Sequence, residues 1–309
     1  MILKESKSAD PVTILVSSYN GSEFIKEQLD SLYNQSYPNI NILVRDDAST
    51  DTTRDILRVE HAKQSIDLVM GEKNLGVTAS FFELLRLVSK TDTEYVAFCD
   101  QDDVWLPNKM QTAVLALSKV SEYPALYCSR LNIVDEKLNQ LDVSFKPREI
   151  GFGNALVENI AVGCTIVLNR KALDLLCQYR LPEEVYIHDW WCYLVISCFG
   201  QIVFDDQALI QYRQHSGNSI GAASNLFGVL RRKFARLFNR KLWISEQAAI
   251  FHSLYSEQLA PAQRDVLELL LNAKSSFWHR LMLICSKGIW RQKAIDNLIL
   301  RVVIFINRI

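Results

Sequence analysis

Long apolar runs are missing from this 309-residue chain. No stretch reaches the roughly 18 uninterrupted apolar residues of a spanning helix, so integral membrane insertion is not expected. The opening Met1-Ile2-Leu3-Lys4-Glu5-Ser6 lacks the pattern of a signal peptide, which argues against secretion. Seven cysteines are an odd number, and none stands in a C-x-x-C or zinc-like spacing. Most lie inside apolar runs such as Val195-Ile196-Ser197-Cys198-Phe199, so buried free thiols in a reducing compartment are expected. There is no G-x-x-x-x-G-K-[ST], no H-E-x-x-H and no G-x-S-x-G, which removes the main supports for P-loop, zincin and α/β-hydrolase chemistry. Gly151-Phe152-Gly153 lacks the third glycine of a dinucleotide fingerprint and follows no convincing strand. Charged residues make up 22%, close to the globular norm, and this excludes wholesale disorder.

The net charge of −1 conceals a split. Residues 1–221 carry 20 Lys+Arg and 30 Asp+Glu, whereas 222–309 carry 14 and 5. An acidic body with a basic remainder predicts two units, 1–221 and 222–309, with different tasks. In the first unit apolar β-rich runs alternate with helical spacings. Strands are expected at Val12–Ser18, Ile40–Val44, Ile66–Met70, Tyr95–Cys99 and Leu126–Ser129. Helices are expected over Glu23–Gln35, Asp51–Ala62, around Ser80–Val88, and over Leu106–Val120 with Pro107 in its first turn. The alternation predicts an α/β fold with a mostly parallel central sheet flanked by helices. From about 140 to 221 the pattern is mixed. Short strands are expected at Thr165–Leu168, Gln201–Phe204 and Leu209–Tyr212, and a helix around Trp190–Cys198. After Gly221 the chain reads as helical.

Ligands of such sheets bind at the carboxyl ends of the strands, so the loops there draw attention. Asp100-Gln101-Asp102-Asp103 follows the strand at Tyr95–Cys99. Three carboxylates in four residues repel one another unless a cation or donors offset them, and hard oxygen ligands suit Mg²⁺ or Mn²⁺. A solvated acidic turn is the plain alternative. Asp46-Asp47-Ala48-Ser49-Thr50-Asp51 offers a carboxylate to a nucleobase N–H, or equally a helix cap. His188-Asp189-Trp190-Trp191 joins a candidate general base to indoles on which sugar rings pack, or else starts a helix with both tryptophans in the core. His215 alone is an ordinary loop residue.

Phe227–Leu242, FGVLRRKFARLFNRKL, sets Leu230, Phe234, Leu237, Phe238 and Leu242 at helical spacing among six basic residues. That composition suits an anionic membrane surface, or a helix packed on the first unit with a solvated basic face. Nucleic acid is not expected, because the aromatics lie on the apolar stripe instead of between the charges. Leu298–Ile306 is apolar but short and contains Arg301, which predicts a docked or interfacial helix.

Together these motifs, over about 12–221, resemble the family 2 inverting glycosyltransferases of the GT-A fold. Val16-Ser17-Ser18-Tyr19-Asn20 is similar to the family's first nucleotide-binding strand and loop. Asp46 to Asp51 matches its D-D-x-S-x-D element, and Asn74-Leu75-Gly76 its N-x-G. Asp100-Gln101-Asp102-Asp103-Val104-Trp105 is similar to the D-x-D form common among bacterial rhamnosyltransferases. The resemblance implies donor binding by Ser17, Tyr19, Asn20, Asp46, Asp47, Asn74, Asp100 and Gln101, and a Mg²⁺ or Mn²⁺ ion held by Asp102, Asp103 and His215. It implies a sugar and acceptor site from Asn159, Gly163, Cys164, His188, Trp190 and Trp191, with Asp189 as base; His188 stands where the family usually has Glu. No Q-x-x-R-W segment of processive synthases occurs, which implies single transfers. The implied reaction moves one sugar from a nucleoside-diphosphate donor, dTDP-rhamnose favoured over a UDP-hexose, to a hydroxyl of a lipid-linked or oligosaccharide acceptor during surface polysaccharide synthesis. The enzyme would sit in the cytoplasm, peripheral at the inner face of the membrane. A non-catalytic nucleotide-sugar or glycan-binding module is the rival reading. A metal-dependent phosphatase or nucleotidyltransferase would need a second metal cluster or a glycine-rich phosphate loop.

Overall fold

The strand Val12–Ser18 (β1) is buried along nearly its whole length, as a strand covered on both faces must be. In a computed structural model describing residues 9–214 and 243–309, it lies between two parallel neighbours, Ile40–Asp46 (β2) and Tyr95–Cys99 (β4). Asp67–Met70 (β3) continues the sheet beyond β2. The order β3-β2-β1-β4 reverses direction at β1, and the carboxyl ends of β1, β2 and β4 open onto the crevice that such a reversal creates. On the far side of β4 follow Val167–Asn169 (β8), Ala125–Val134 (β6), Gln201–Arg213 (β9) and the two-residue Val104–Trp105 (β5), while Gln140–Val143 (β7) pairs with β6. Since β8 is antiparallel to both β4 and β6, and β9 parallel to β6, six of the nine strands point the same way. The mostly parallel expectation therefore holds.

Successive side chains of a strand face opposite ways, and two cores result. Ile14 and Val16 of β1, Ala97 and Cys99 of β4 and Tyr127 of β6 face Ile25–Tyr33 (α1), Thr53–Ala62 (α2) and Lys109–Ser118 (α4). Leu15, Phe98, Leu126 and Cys128 face Val77–Val88 (α3), Arg170–Cys177 (α6) and His188–Phe199 (α7). This second core also takes Ile244, Ala248, Phe251 and Tyr255 of Trp243–Tyr255 (α8) and Leu267 and Leu270 of Pro261–Ala273 (α9). Leu283 of Phe277–Cys285 (α10) and Leu300, Val303 and Ile304 of Ala294–Phe305 (α11) complete it. The C-terminal helices thus share one core with the sheet. Phe152–Ala155 (α5) is a single turn under α7.

Three expectations need correction. The helix expected from Leu106 starts at Lys109, and Pro107 precedes it instead of occupying its first turn. The two strands expected over Gln201–Phe204 and Leu209–Tyr212 are one strand, β9. Its polar Asp206 and Gln207 are extra residues opposite β6, where the pairing jumps from Ser129–Asp205 to Arg130–Ala208. The strand expected from Thr165 begins at Val167, after a 3₁₀ turn over Gly163–Thr165. The Phe227–Leu242 segment, His215 and the boundary at 221 lie outside the described residues.

Candidate active site

Three loops meet at the carboxyl rim of β1, β2 and β4, and side chains tie each to the next. Asn20 takes a left-handed conformation, φ 49°, which turns its N–H toward Ser49 Oγ (2.9 Å) and its Oδ1 toward the Thr50 N–H (2.8 Å). Gly21 N–H reaches Thr53 Oγ1 at 2.8 Å. The β4 loop joins through Gln101, whose Oε1 accepts from Ser18 Oγ and Tyr19 N–H at 2.9 Å each, and whose Nε2 donates to Tyr19 O. A Cβ on Gly21 would collide with that carboxamide. Ser17 hydroxyl donates to Ser80 Oγ at the start of α3. Tyr19 is an exposed ring at the rim.

Asp46 and Asp47 are buried and do different work. Asp47 accepts the N–H groups of Leu75 and Gly76 at 2.8 Å and pairs with Arg45. Asn74 Oδ1 also accepts from Gly76 N–H, so the Asn74-Leu75-Gly76 turn hangs on these two side chains. Asp46 Oδ2 accepts from Ser49 N–H and Arg54, while its Oδ1 is buried with no partner and remains available to a donor. Asp51 Oδ1 accepts the Thr53 N–H at 3.0 Å, the first N–H of α2, from the residue before the N-cap position Thr52, which itself makes no side-chain cap bond.

The acidic turn is pinned at both ends. β5 pairs with β9 through Val104–Gln211 and Trp105–Ile210. Arg213, at the end of β9, donates its N–H to Asp103 Oδ1 and its Nε to Asp102 O, and its guanidinium pairs with Glu27. Asp103 is buried and its Oδ2 has no hydrogen-bond partner. Among the described residues, Asp100, Asp103 and Cys164 form a group of possible metal ligands with donor atoms within 4.8 Å of one another. An orphaned buried carboxylate oxygen beside a second carboxylate is the environment a divalent cation stabilises. Asp102 stands outside this triad, and its charge acts on both carboxylates. Burial, then the charges of Asp102 and Asp189, push Asp100 up to about 7. Burial, then Asp100 and Asp102, push Asp103 well above the carboxylate range. Cys164, expected in the sugar loop, lies beside the acidic turn; burial and then Asp103 raise its thiol well above normal.

Beneath the turn sits Lys109, fully buried, with Nζ 3.3 Å from the Trp105 ring centroid. Burial lowers its pKa to about 7, opposed by the nearby Cys99, Cys164 and Asp103. Neither Lys109 nor Arg213 is singled out by sequence. A lysine at a helix start and an arginine at a strand end carry no visible mark of burial.

Asp189 lies on the same rim. Its Oδ2 accepts the Gly163 N–H at 3.0 Å and its Oδ1 the Trp190 N–H at 2.5 Å. Burial lifts it to about 7, with Trp190, Gly163 and Asn159 opposing. Gly163 binds Asp189 while the adjacent Cys164 lies with Asp100 and Asp103, so one turn links the first turn of α7 to the acidic turn. Asn159 Oδ1 also accepts from Ala161 N–H, which shapes the loop leading to Gly163.

Two proposed sugar contacts are corrected. Trp191 is wholly buried, packed edge-on against Phe251 and tilted against Tyr255, so its indole belongs to the core and cannot stack on a ligand. His188 is buried, stacked on Phe81 at 4.2 Å and edge-on to Phe98, with neither ring nitrogen hydrogen-bonded. Burial drops its pKa to about 3, so it is a neutral spacer beneath Gly163. Trp190 is partly buried, its Nε1–H bound to Ala155 O at 2.6 Å.

Comparison with known proteins gives the family and the fold. The model of Glycosyl transferase family 2 matches residues 13–176. The dTDP-rhamnosyl transferase RfbG of Shigella flexneri is 26% identical over 246 residues, covering 72% of this chain and 81% of that protein. The Escherichia coli enzyme WfgD, a UDP-Glc:alpha-D-GlcNAc-diphosphoundecaprenol beta-1,3-glucosyltransferase, is 31% identical over 229 residues, covering 72% and 83%. Among solved structures, S. aureus TarS in complex with UDP-GlcNAc superposes with a TM-score of 0.58 at 18% identity, over 89% of this chain and 84% of that one.

Proposed function

We propose, from the premise that this chain belongs to glycosyl transferase family 2 and has the GT-A fold, that it transfers one sugar per encounter with inversion at the anomeric carbon. The donor is a nucleoside-diphosphate sugar, dTDP-rhamnose before UDP-hexose. The similarity to RfbG and the Asp100-Gln101-Asp102-Asp103-Val104-Trp105 run support the first, and the similarity to WfgD supports the second. WfgD also supports a lipid-linked acceptor in polysaccharide synthesis, and so a place at the cytoplasmic face of the membrane. In this reading 1–221 catalyses and 222–309 serves attachment.

The reading rests on one observation: a single turn joins Asp189 to the acidic residues, its Gly163 N–H on Asp189 Oδ2 at 3.0 Å and its Cys164 with donor atoms within 4.8 Å of those of Asp100 and Asp103. The acceptor hydroxyl approaches Asp189, which takes its proton as the new C–O bond forms. The bond from the anomeric carbon to the diphosphate oxygen breaks with its electron pair on the leaving group. Gly163 and Trp190 N–H groups hold the carboxylate of Asp189 toward the acceptor. Asp46 Oδ1 is the buried acceptor suited to a nucleobase N–H. Asp100 and Asp103, with Asp102 and the Cys164 sulfur nearby, would hold a Mg²⁺ or Mn²⁺ ion, which when bound offsets the charge growing on the departing diphosphate.

The decisive experiment incubates the full chain with Mn²⁺, dTDP-rhamnose or a UDP-hexose, and a polyprenyl-diphosphate sugar acceptor. It measures nucleoside diphosphate release and glycosylated lipid together. Release coupled one-to-one to product supports transfer; donor binding without release in wild type and Asp189→Asn alike returns the chain to a binding module.

A further inference from the structure

Helix α11 is apolar on two sides. Leu300, Val303 and Ile304 enter the core, yet Ile295, Leu298, Val302 and Phe305 are all exposed, at spacings of three, four and three residues that make a second stripe. Leu298 keeps 59% of its surface in solvent. Helix α10 repeats the pattern with Phe277, Trp278 and Met282, and Trp278 is 72% exposed. The Phe277 and Phe305 rings lie 6.4 Å apart, joining the start of α10 to the end of α11. A continuous apolar face of this kind on a soluble surface marks an interaction site.

Its surroundings say what it meets. Residues 274–309 contain seven basic residues and one acidic, Asp296. Lys274, Lys287, Lys293 and Arg308 are exposed and flank the two helices in the chain. Two copies brought face to face would set these like charges against each other. An anionic lipid surface instead accepts the apolar side chains between its headgroups and the cations at them. At 12 residues, α11 is about 18 Å long, well short of the roughly 30 Å hydrocarbon core, so it would lie in the interface plane.

We infer that the outer face of α10 and α11 docks on an anionic lipid bilayer and sets the height of the acceptor loop above it. The second half of that statement comes from the connection between the helices. Trp290 O accepts from Asn154 Nδ2 at 3.0 Å, Arg291 Nε donates to Val157 O at 3.0 Å, and Gln292 binds Glu158 Oε2 (2.7 Å) and Glu149 O (2.6 Å). A Cβ on Gly153 would collide with Gly288 O. The segment so fixed runs directly into Asn159–Gly163, whose N–H holds Asp189. For its purpose, though not for its geometry, the inference rests on the lipid-linked acceptor proposed above.

The test sediments the full chain with phosphatidylcholine vesicles, with and without phosphatidylglycerol. Binding to the anionic vesicles alone, reversed near 1 M salt where the screening length is about 3 Å, is expected. Trp278→Ser with Leu298→Ser should weaken partitioning at least about tenfold at an unchanged melting temperature, because both side chains are already exposed. Lys287→Gln with Lys293→Gln should weaken it without touching the apolar stripes. Quenching of tryptophan emission by brominated phosphatidylglycerol should fall in Trp278→Phe. Undiminished binding by the serine pair, or no binding by wild type, overturns the inference. So does a dimer in sedimentation equilibrium that the serine pair dissolves, since the face then covers a second copy. Transfer to a water-soluble acceptor should survive in the serine pair. If wild type binds vesicles through this face yet transfers no sugar, the docking surface stands and the proposed function falls.

Discussion

The carboxyl rim of the sheet and the core between α7 and α8 are held by different forces. At the rim, the loops after β1, β2, β3 and β4 are joined by short hydrogen bonds involving Asn20, Ser49, Thr53, Asp47 and Gln101. In that core α7 and α8 meet through rings: Trp191, Phe199, Phe251 and Tyr255, with Phe152 against Phe251. Directional polar contacts place atoms tightly but tolerate few substitutions. Ring packing fixes a surface through many weak contacts and lets lining residues vary.

Substitutions on each side separate the two modes. Asp189→Asn should cost about 10²–10⁴-fold in kcat and leave donor affinity unchanged, read by steady-state kinetics and calorimetry. Near-normal turnover would remove Asp189 as the base. Phe251→Ala should destabilise the fold by about 3–5 kcal/mol in urea unfolding, more than any single rim change, because Phe251 is wholly buried among four other rings. Asp102→Ala should lower Mn²⁺-dependent donor affinity by at least the about 10–100-fold lost with an outer partner of a metal ligand. Unchanged affinity would place the cation on Asp100, Asp103 and Cys164 alone. Gln101→Ala should cost about 1–3 kcal/mol in the same urea assay and raise the donor KM, since three bonds of the rim are lost at once. The smallest effect is on pH. A base must be ionised and Asp189 is lifted to about 7, so kcat/KM should climb as pH rises through that value and flatten in Asp189→Asn.

The same division decides what could be read in advance. The rim was legible because its residues are contiguous: Asp46 to Asp51, Asn74 to Gly76 and Asp100 to Asp103 are motifs in the chain before they are a cradle in space. The family resemblance drawn from them is borne out by the match over 13–176. Helix α7 was not legible in the same way. Nine of its twelve residues are buried, so no periodicity distinguishes the Asp189 side from the Trp191 side. Strand β5 is two residues long and pairs with β9, about a hundred residues further along the chain. Asp205-Asp206-Gln207 read as a loop because its polarity gave no sign that β6 would carry the strand through it. Lys109 was invisible because burial of a lysine is a property of the folded neighbourhood alone.

The contact between Gly21 and Gln101 has a practical corollary. The carboxamide occupies the volume where any larger residue at 21 would project, so these positions, eighty apart in the chain, behave as one unit. Engineering that alters the first loop by scanning single substitutions will meet this obstacle each time. Libraries that vary 21 and 101 together are the ones with room to find a differently shaped entrance.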